Sequence, residues 1–230
     1  MNLKLVWSSH PSWERWSKPN SPTDALVVCN ALVELSTHIS GEAIRVLSAA
    51  AGPSSVVSIL QLIVNQHGHD PGIICAVCRV IYALASFASW DDVLLDLHPG
   101  SGSLLLFALT KHGDHADVIS EALRALCFLV PVKSSPYSSS FEAFLPLVVR
   151  ALREHLSNAT LTQFACAALA RLFKTVQISR LQLAHEVVPL LLSALSNHAQ
   201  NAAVAGSALR AHSPLYRNGR RIFLLSWLLA

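Results

Sequence analysis

The chain has 230 residues, of which 52% are hydrophobic and 13% are charged, so it has ample material for a core and lies far from the disordered class. Its formal net charge of +3 is too small to indicate a nucleic-acid-binding protein, which usually carries a clustered Lys/Arg face. Few Gly and Pro residues and no sustained alternation of apolar and polar residues predict an all-α protein.

Five cysteines, an odd number in a chain too large to need disulfide staples, fit a reducing compartment. Residues 1–16 contain no apolar run typical of a signal peptide, and no uncharged stretch approaches the roughly 18 apolar residues of a membrane span. We therefore expect a soluble intracellular protein, in the cytoplasm or the nucleus.

Residues 1–23 are irregular, with prolines that break helices and with three tryptophans. The tryptophans either cover the first helix or dock a partner. A helix is predicted from Thr23-Asp24 to His38, and a short one follows at Gly41–Ala51. Beyond Gly52-Pro53, a helix capped by Ser54 or Ser55 runs through Val64.

A turn at His67–Pro71 follows, with Asp70 as the cap and Pro71 at the first helical position, where its missing N–H costs nothing. The next helix runs from Ile73 to Phe87, and a short one at Ser89–Leu97 precedes a predicted hinge at Pro99–Ser103. Asp114 is predicted to cap the helix that carries Ile119–Val130.

A repeat emerges when the helices are aligned. Four of the five copies have an apolar helix, a histidine-containing turn and a second apolar helix. The equivalent anchors are separated by 49, 45, 43 and 40 residues, and the pattern fails at the fifth: Leu32, Ile81, Leu126, Leu169 and Leu209. His67, His112 and His155 each precede their anchor by 14 residues, whereas His198 precedes Leu209 by 11. Periods of 40 to 47 residues are typical of helical solenoids.

The motifs LLLFALTKHGDHADVISEALRALCFL, FLPLVVRALREHLSNATLTQFACAALARLF and VVPLLLSALSNHAQNAAVAGSALR resemble the armadillo-repeat family, as does SVVSILQLIVNQHGHDPGIICAVCRVIYALAS. The resemblance covers roughly residues 24–211. It implies a right-handed α–α superhelix of about four repeats over residues 24–212, between an irregular segment, 1–23, and a tail, 213–230. HEAT repeats remain an alternative, although the short first helices favour the three-helix armadillo unit.

In armadillo proteins the last helix of each repeat lines a concave groove that binds extended peptides. The family's nuclear import adaptors carry Trp and Asn at two positions of these helices, and this chain has neither ladder there. The first position holds Asn30, Arg79, Arg124, Ala167 and Ser207, and the second Glu34, Ala83, Phe128, Arg171 and Ala211. The sequence therefore disfavours the recognition of basic nuclear-localisation peptides in this groove.

The tentative groove residues are Asn30, Glu34, Arg79, Arg124, Phe128 and Arg171. Their arginines would suit the carboxylates or phosphates of an acidic segment. The alternative is that Arg124 only pairs with Glu121 while the other arginines are solvated.

The patterns of cysteine and histidine residues indicate structural roles rather than catalysis or metal binding. Cys75 and Cys78 form a lone CxxC, and Cys78 occupies a repeat position typical of small packing residues. The histidines that recur from turn to turn lie about the 10 Å of neighbouring helices apart, so one metal cannot collect them. The pairs within one turn, His67 with His69 and His112 with His115, offer only two ligands each, which is an incomplete set. We predict no catalytic residues, metal or cofactor.

The tail begins where the last repeat helix is expected to give way after Arg210, because Pro214 and Gly219 follow. Its apolar end, IFLLSWLLA, either closes the last repeat or, with Arg217, Arg220 and Arg221, attaches to a membrane surface. The sequence thus predicts a non-enzymatic scaffold for a protein or peptide partner, with a peripheral membrane adaptor as the alternative.

Overall fold

A computed structural model of the chain describes residues 21–38, 53–87, 93–130, 141–175 and 180–217. Within these ranges the backbone forms nine helices and no strand, which confirms the predicted all-α class. In chain order the helices are α1 (Pro22–His38), α2 (Pro53–His67), α3 (Pro71–Phe87), α4 (Val93–Lys111), α5 (Ala116–Leu129), α6 (Phe144–Glu154), α7 (Ala159–Thr175), α8 (Arg180–Asn197) and α9 (Ala202–Arg217).

The chain divides into two compact units, Met1–Leu129 and Val130–Ala230. In the first, α2 pairs with α3 and α4 with α5, while α4 packs on α2, and α1 and α5 pack on α3. In the second, α6 pairs with α7 and α8 with α9, while α8 packs on α6 and α9 on α7. Within each unit the hairpins therefore stack, with their first helices in one layer and their second helices in another.

Each hairpin turns at a histidine, as the repeat predicts. The histidine carbonyl accepts a hydrogen bond from the backbone N–H three residues later, at 2.8–3.0 Å: His67 from Asp70, His112 from His115, His155 from Asn158, and His198 from Asn201. In three turns that third residue also caps the next helix through its side chain. Asp70 accepts from the Gly72 N–H at 2.8 Å, Asn158 from Leu161 at 3.1 Å and Asn201 from Val204 at 3.2 Å.

The prediction that Asp114 caps α5 is wrong by one residue. Helix α5 begins at Ala116, so His115 occupies the position that Asp70, Asn158 and Asn201 hold in the other turns. The turn closes from the histidine carbonyl to the third residue after it, and this fixed length overrides the preference of Asp114 for a cap.

The turns also correct the repeat register at the fifth copy. Helices α3, α5, α7 and α9 each begin four residues after the turn histidine, which makes His212, not Leu209, the equivalent of Ile81, Leu126 and Leu169. Those three anchors are buried, whereas Leu209 is exposed. The fifth helix therefore keeps the repeat length of the fourth, and the apparent shortening to 40 residues was an error of alignment.

The predicted hinge at Pro99–Ser103 is wrong, because this segment lies inside α4. Helix α4 begins at Val93 and continues to Lys111, so the short helix predicted at Ser89–Leu97 does not end at Leu97. A Cβ atom added at Gly100 would lie 2.3 Å from Val57 Cγ1 of α2, whereas one added at Gly102 would meet nothing within 4 Å. Gly100 is therefore needed for the close approach of α4 to α2.

A matched pair of substitutions tests this packing. We expect Gly100→Ala to lower the free energy of unfolding by about 1–3 kcal/mol, because the stiff Val57 side chain must move. Gly102→Ala should raise it by roughly 0.5–1 kcal/mol through helix propensity alone. Urea unfolding followed by circular dichroism measures both, and equal stabilisation by the two variants would contradict the packing of α4 on α2.

A proline begins the first described helix, and another lies inside the last one. Helix α1 begins at Pro22 rather than at Thr23, and the Ser21 hydroxyl accepts a hydrogen bond from the Asp24 N–H at 3.1 Å while donating to the Asp24 carboxylate at 2.8 Å. At the other end, α9 continues past Arg210 to Arg217 with Pro214 inside it, so the predicted end of this helix is wrong. The three N-terminal tryptophans, Gly41–Ala51 and the 218–230 tail lie outside the described residues.

Candidate binding surface

Cross-repeat contacts join residues about one repeat apart. Three hydrogen bonds between stacked hairpins of the same unit connect residues separated by 42 to 44 positions, close to the repeat period. Helices α3 and α5, which stack as second helices of neighbouring hairpins, are linked in this way by Arg79 and Glu121. The surface that these two helices share is the candidate binding surface.

Glu121 lies between two of the predicted groove arginines. Its Oε1 accepts a hydrogen bond from Arg79 Nε at 3.3 Å, and its Oε2 lies 3.7 Å from Arg124 Nη1. The side chains of Arg79 and Arg124 are 52% and 38% exposed, whereas that of Glu121 is 18% exposed. Glu121 Oε2 is buried and accepts no hydrogen bond within the described parts of the chain.

Arg124 is held against an aromatic pair. Its guanidinium carbon lies 3.9 Å from the centre of the Tyr82 ring, a cation–π contact, and the Tyr82 and Phe128 rings meet edge to face at 5.2 Å. At 3.7 Å its contact with Glu121 is an ion pair but too long for a hydrogen bond. Among the described residues, the guanidinium therefore sits in a fixed position and donates no hydrogen bond.

We call Arg79, Tyr82, Glu121, Arg124 and Phe128 the arginine cluster. Two arginines and one glutamate give these five residues a net charge of +1. Asp117, one helical turn before Glu121 and exposed, adds a negative charge nearby. The surface is thus a set of partly neutralised arginines, and it contains the Arg124–Glu121 pair of the alternative interpretation.

The remaining predicted groove residues are Asn30 and Glu34 on α1 and Arg171 in the second unit. Asn30 is exposed on α1 at the repeat position of Arg79, and α1 packs on α3. Glu34 lies on the same helix, but its side chain is outside the described part of the chain. Arg171, on α7 in the second unit, donates from Nη1 to the Val130 carbonyl at 3.3 Å, so it ties the start of that unit to α7.

Tyr82 is the cluster residue that the sequence prediction missed. It lies three residues after Arg79, on the same helix face, and 42 residues before Arg124. The separation of 42 also joins Arg79 to Glu121, so residues three positions short of the 45-residue repeat, and not one full repeat away, are the partners of both arginines.

Two of the turn histidines, His112 and His198, bond to the preceding turn. His112 Nε2 lies 2.8 Å from the Gly68 carbonyl oxygen, and His198 Nε2 lies 2.7 Å from that of Leu156, so each ring donates to the residue after the previous turn histidine. His155 Nε2 is buried and has no hydrogen-bond partner in the described residues. Among the same residues, no three or more His, Cys, Asp or Glu side chains are arranged to hold a metal ion.

The cysteines act as packing residues, as the repeat position of Cys78 predicts. All five are free and buried. Burial raises the pKa of the Cys29 and Cys166 thiols to about 12 and also raises that of Cys78. Burial raises the pKa of Cys75 as well, although the charge of nearby Arg79 opposes the shift.

We expect the native thiols to resist modification. At pH 8 a thiol with a pKa near 12 has on the order of a thousandfold less thiolate than a free cysteine, and thiolate is the reactive form. Reaction with a chromogenic disulfide should therefore be slow in buffer and should reach all five thiols in denaturant. Cys75 should react first, because Arg79 favours its thiolate; rapid native labelling of Cys29 or Cys166 would contradict their burial.

No family model, curated protein or solved structure matches the chain. What the described residues define is therefore a class: an all-α protein of stacked helical hairpins that turn at histidines. None of its described helices is both long and apolar enough to cross a membrane. The armadillo resemblance rests on the sequence pattern, with which the packing inside each unit is compatible.

Proposed function

We propose that the chain is a non-enzymatic protein–protein interaction scaffold of about four armadillo-like repeats. It binds an extended acidic or phosphorylated segment along the surface of α1, α3 and α5, with the arginine cluster as the anchor. The observation that carries this proposal is the state of Arg124, whose guanidinium is stacked on Tyr82, partly exposed and without a hydrogen-bond acceptor among the described residues.

An incoming anion would compete with Glu121. A carboxylate or phosphate can accept two parallel N–H bonds from a guanidinium fork, a better contact than the 3.7 Å approach of Glu121. Arg79 can contribute the second cation, since its Nε bond to Glu121 leaves the two Nη groups available and half of its side chain is exposed. Tyr82 holds Arg124 in place, which lowers the entropy cost of binding.

Degenerate fluorescent peptides test the proposal. Three nonapeptide pools are compared by fluorescence anisotropy, with a fixed central phosphoserine, a central Glu-Glu or a central Lys-Lys. We expect the phosphoserine and Glu-Glu pools to bind, with affinity that falls as salt rises, and the Lys-Lys pool not to bind. Equal binding of all three pools, or binding of none, would contradict the proposal.

A further inference from the structure

Glu121 already occupies the position of an anion between the two arginines of the cluster. One of its carboxylate oxygens accepts from Arg79 on α3 at 3.3 Å, and the other lies 3.7 Å from Arg124 on its own helix, α5. A single carboxylate therefore spans the space between two guanidinium groups that belong to two stacked helices. Any external anion that uses both arginines has to bind them better than this internal carboxylate does.

An external carboxylate is a poor competitor for this position. An Asp or Glu of a partner would replace one carboxylate by another with the same charge and the same two acceptor oxygens. Glu121 has the further advantage of being held on the same chain, at an effective concentration that a dissolved peptide does not reach. A carboxylate ligand is therefore left with the N–H groups that Glu121 does not use.

A phosphate monoester differs from Glu121 in both charge and number of acceptors. Near pH 7 it carries about −1.5 to −2 charges, and it has three terminal oxygens. These oxygens suit a guanidinium fork as those of a carboxylate do. Two of them can replace both contacts of Glu121, on Arg79 and on Arg124, while the third accepts a further N–H. The larger charge also compensates the two arginines more fully than Glu121 does.

The contacts that hold Glu121 in place are weak enough to be exchanged. Its Oε2 accepts no hydrogen bond among the described residues, and its Oε1 bonds to an arginine whose side chain is half exposed. Ion pairs with partners this exposed contribute little to stability. The stacking of Arg124 on Tyr82, at 3.9 Å, does not depend on Glu121 and keeps the guanidinium in place. Only Glu121 therefore has to move when a stronger anion arrives.

We infer that the arginine cluster receives one phosphate monoester of a phosphorylated side chain, which displaces Glu121 and bridges Arg79 and Arg124 across helices α3 and α5. This inference rests on the proposed function and narrows its ligand from acidic segments in general to a phosphorylated residue. Glu121 then acts as an internal anion that excludes Asp and Glu from the space between the arginines. It also excludes the phosphodiesters of a nucleic-acid backbone, which carry one charge each.

Peptides of equal net charge test the inference. The phosphoserine and Glu-Glu pools both add about two negative charges near pH 7, on one group in the first pool and on two groups in the second. We expect the full chain to bind the phosphoserine pool at least about tenfold more tightly, as measured by fluorescence anisotropy. Equal affinities would overturn the inference and leave the proposed function intact, whereas binding of neither pool would refute both.

Single substitutions test whether the phosphate bridges the two helices. Arg79→Gln and Arg124→Gln should each lower the affinity for phosphoserine by at least about tenfold, to nearly that of the Glu-Glu pool, because each removes one end of the bridge. Arg150→Gln is the control, since Arg150 is 40% exposed, pairs with Glu154 and lies in the second unit. A cluster variant that keeps the full preference for phosphoserine would show that the phosphate does not bridge the arginines.

A lipid is the alternative source of the same group, because phosphatidic acid presents a phosphate monoester at a membrane surface. Co-sedimentation of the full chain with phosphatidylcholine vesicles, with and without phosphatidic acid, tests this source. We expect no difference between the two, because a cluster with a net charge of +1 lacks the several basic residues that hold a protein on an anionic membrane. Sedimentation that requires phosphatidic acid and is lost in Arg79→Gln would assign the site to a lipid and overturn the inference.

Discussion

Replacing both Arg79 and Arg124 by glutamate should abolish binding of the phosphoserine pool. A hydrogen bond to a charged group contributes about 1.5–3 kcal/mol, so the loss of two such contacts lowers affinity by at least about 100-fold. The reversal also places three carboxylates together around position 121, which repels an anion. Fluorescence anisotropy measures the affinity, and far-ultraviolet circular dichroism should remain helical because both side chains are substantially exposed.

Arg150→Glu is the matched control. The Arg150 side chain is 40% exposed, like that of Arg124, and it too pairs with a glutamate on its own helix, Glu154, at 4.0 Å. It lies on α6, away from the arginine cluster in the sequence and in the other unit. If Arg150→Glu weakens binding as much as the double reversal does, the effect is one of overall charge and the cluster is not the anchor.

Replacing Glu121 by glutamine should strengthen anion binding, by roughly three- to tenfold. Glu121 is the internal competitor for both arginines, and its removal raises the charge of the cluster from +1 to +2. Its Oε2 accepts no hydrogen bond in the described residues, so little stability is lost: an ion pair with a partner this exposed contributes about 0–1 kcal/mol. Affinity for the phosphoserine pool and the urea midpoint are the two measurements.

Glu186→Gln is the control for this variant. Glu186 on α8 accepts from Arg153 on α6, so it forms the same kind of bond between stacked helices in the second unit. We expect a similarly small change in stability and no change in peptide affinity. A Glu121→Gln protein that binds the phosphoserine pool no better than the unsubstituted chain would assign Glu121 a purely structural role.

Much of the fold is readable from the sequence because the signals are local and repeated. The histidine turns, the Asp70 cap with Pro71, and the apolar stripes of α3 and α5 each depend on a few neighbouring residues, and each is confirmed. The sequence predictions failed where a contact between residues distant in sequence determines the local structure. Gly100 looks like part of a hinge until Val57 is placed against it, and only then does a glycine inside α4 make sense.

The candidate site was less predictable than the fold. The alignment brought Arg79, Arg124 and Phe128 to one surface, but Glu121 reaches Arg79, and Tyr82 stacks on Arg124, from the neighbouring hairpin. Tyr82 was missed because its role depends on the offset of 42 residues between stacked helices, which is slightly less than the repeat period. Likewise, the sequence alignment chose Leu209 as the anchor of the fifth copy because it is apolar. The turn at His198 instead places the equivalent position at His212.

The preference between oppositely charged peptides tests the central proposal most directly. The unsubstituted chain and the Arg79→Glu/Arg124→Glu variant are titrated, by fluorescence anisotropy at one salt concentration, with the phosphoserine and Lys-Lys pools. We predict that the unsubstituted chain binds only the phosphoserine pool and that the variant loses this pool and prefers the Lys-Lys pool. A variant that keeps the preference of the unsubstituted chain would contradict the assignment of the arginine cluster as the binding anchor.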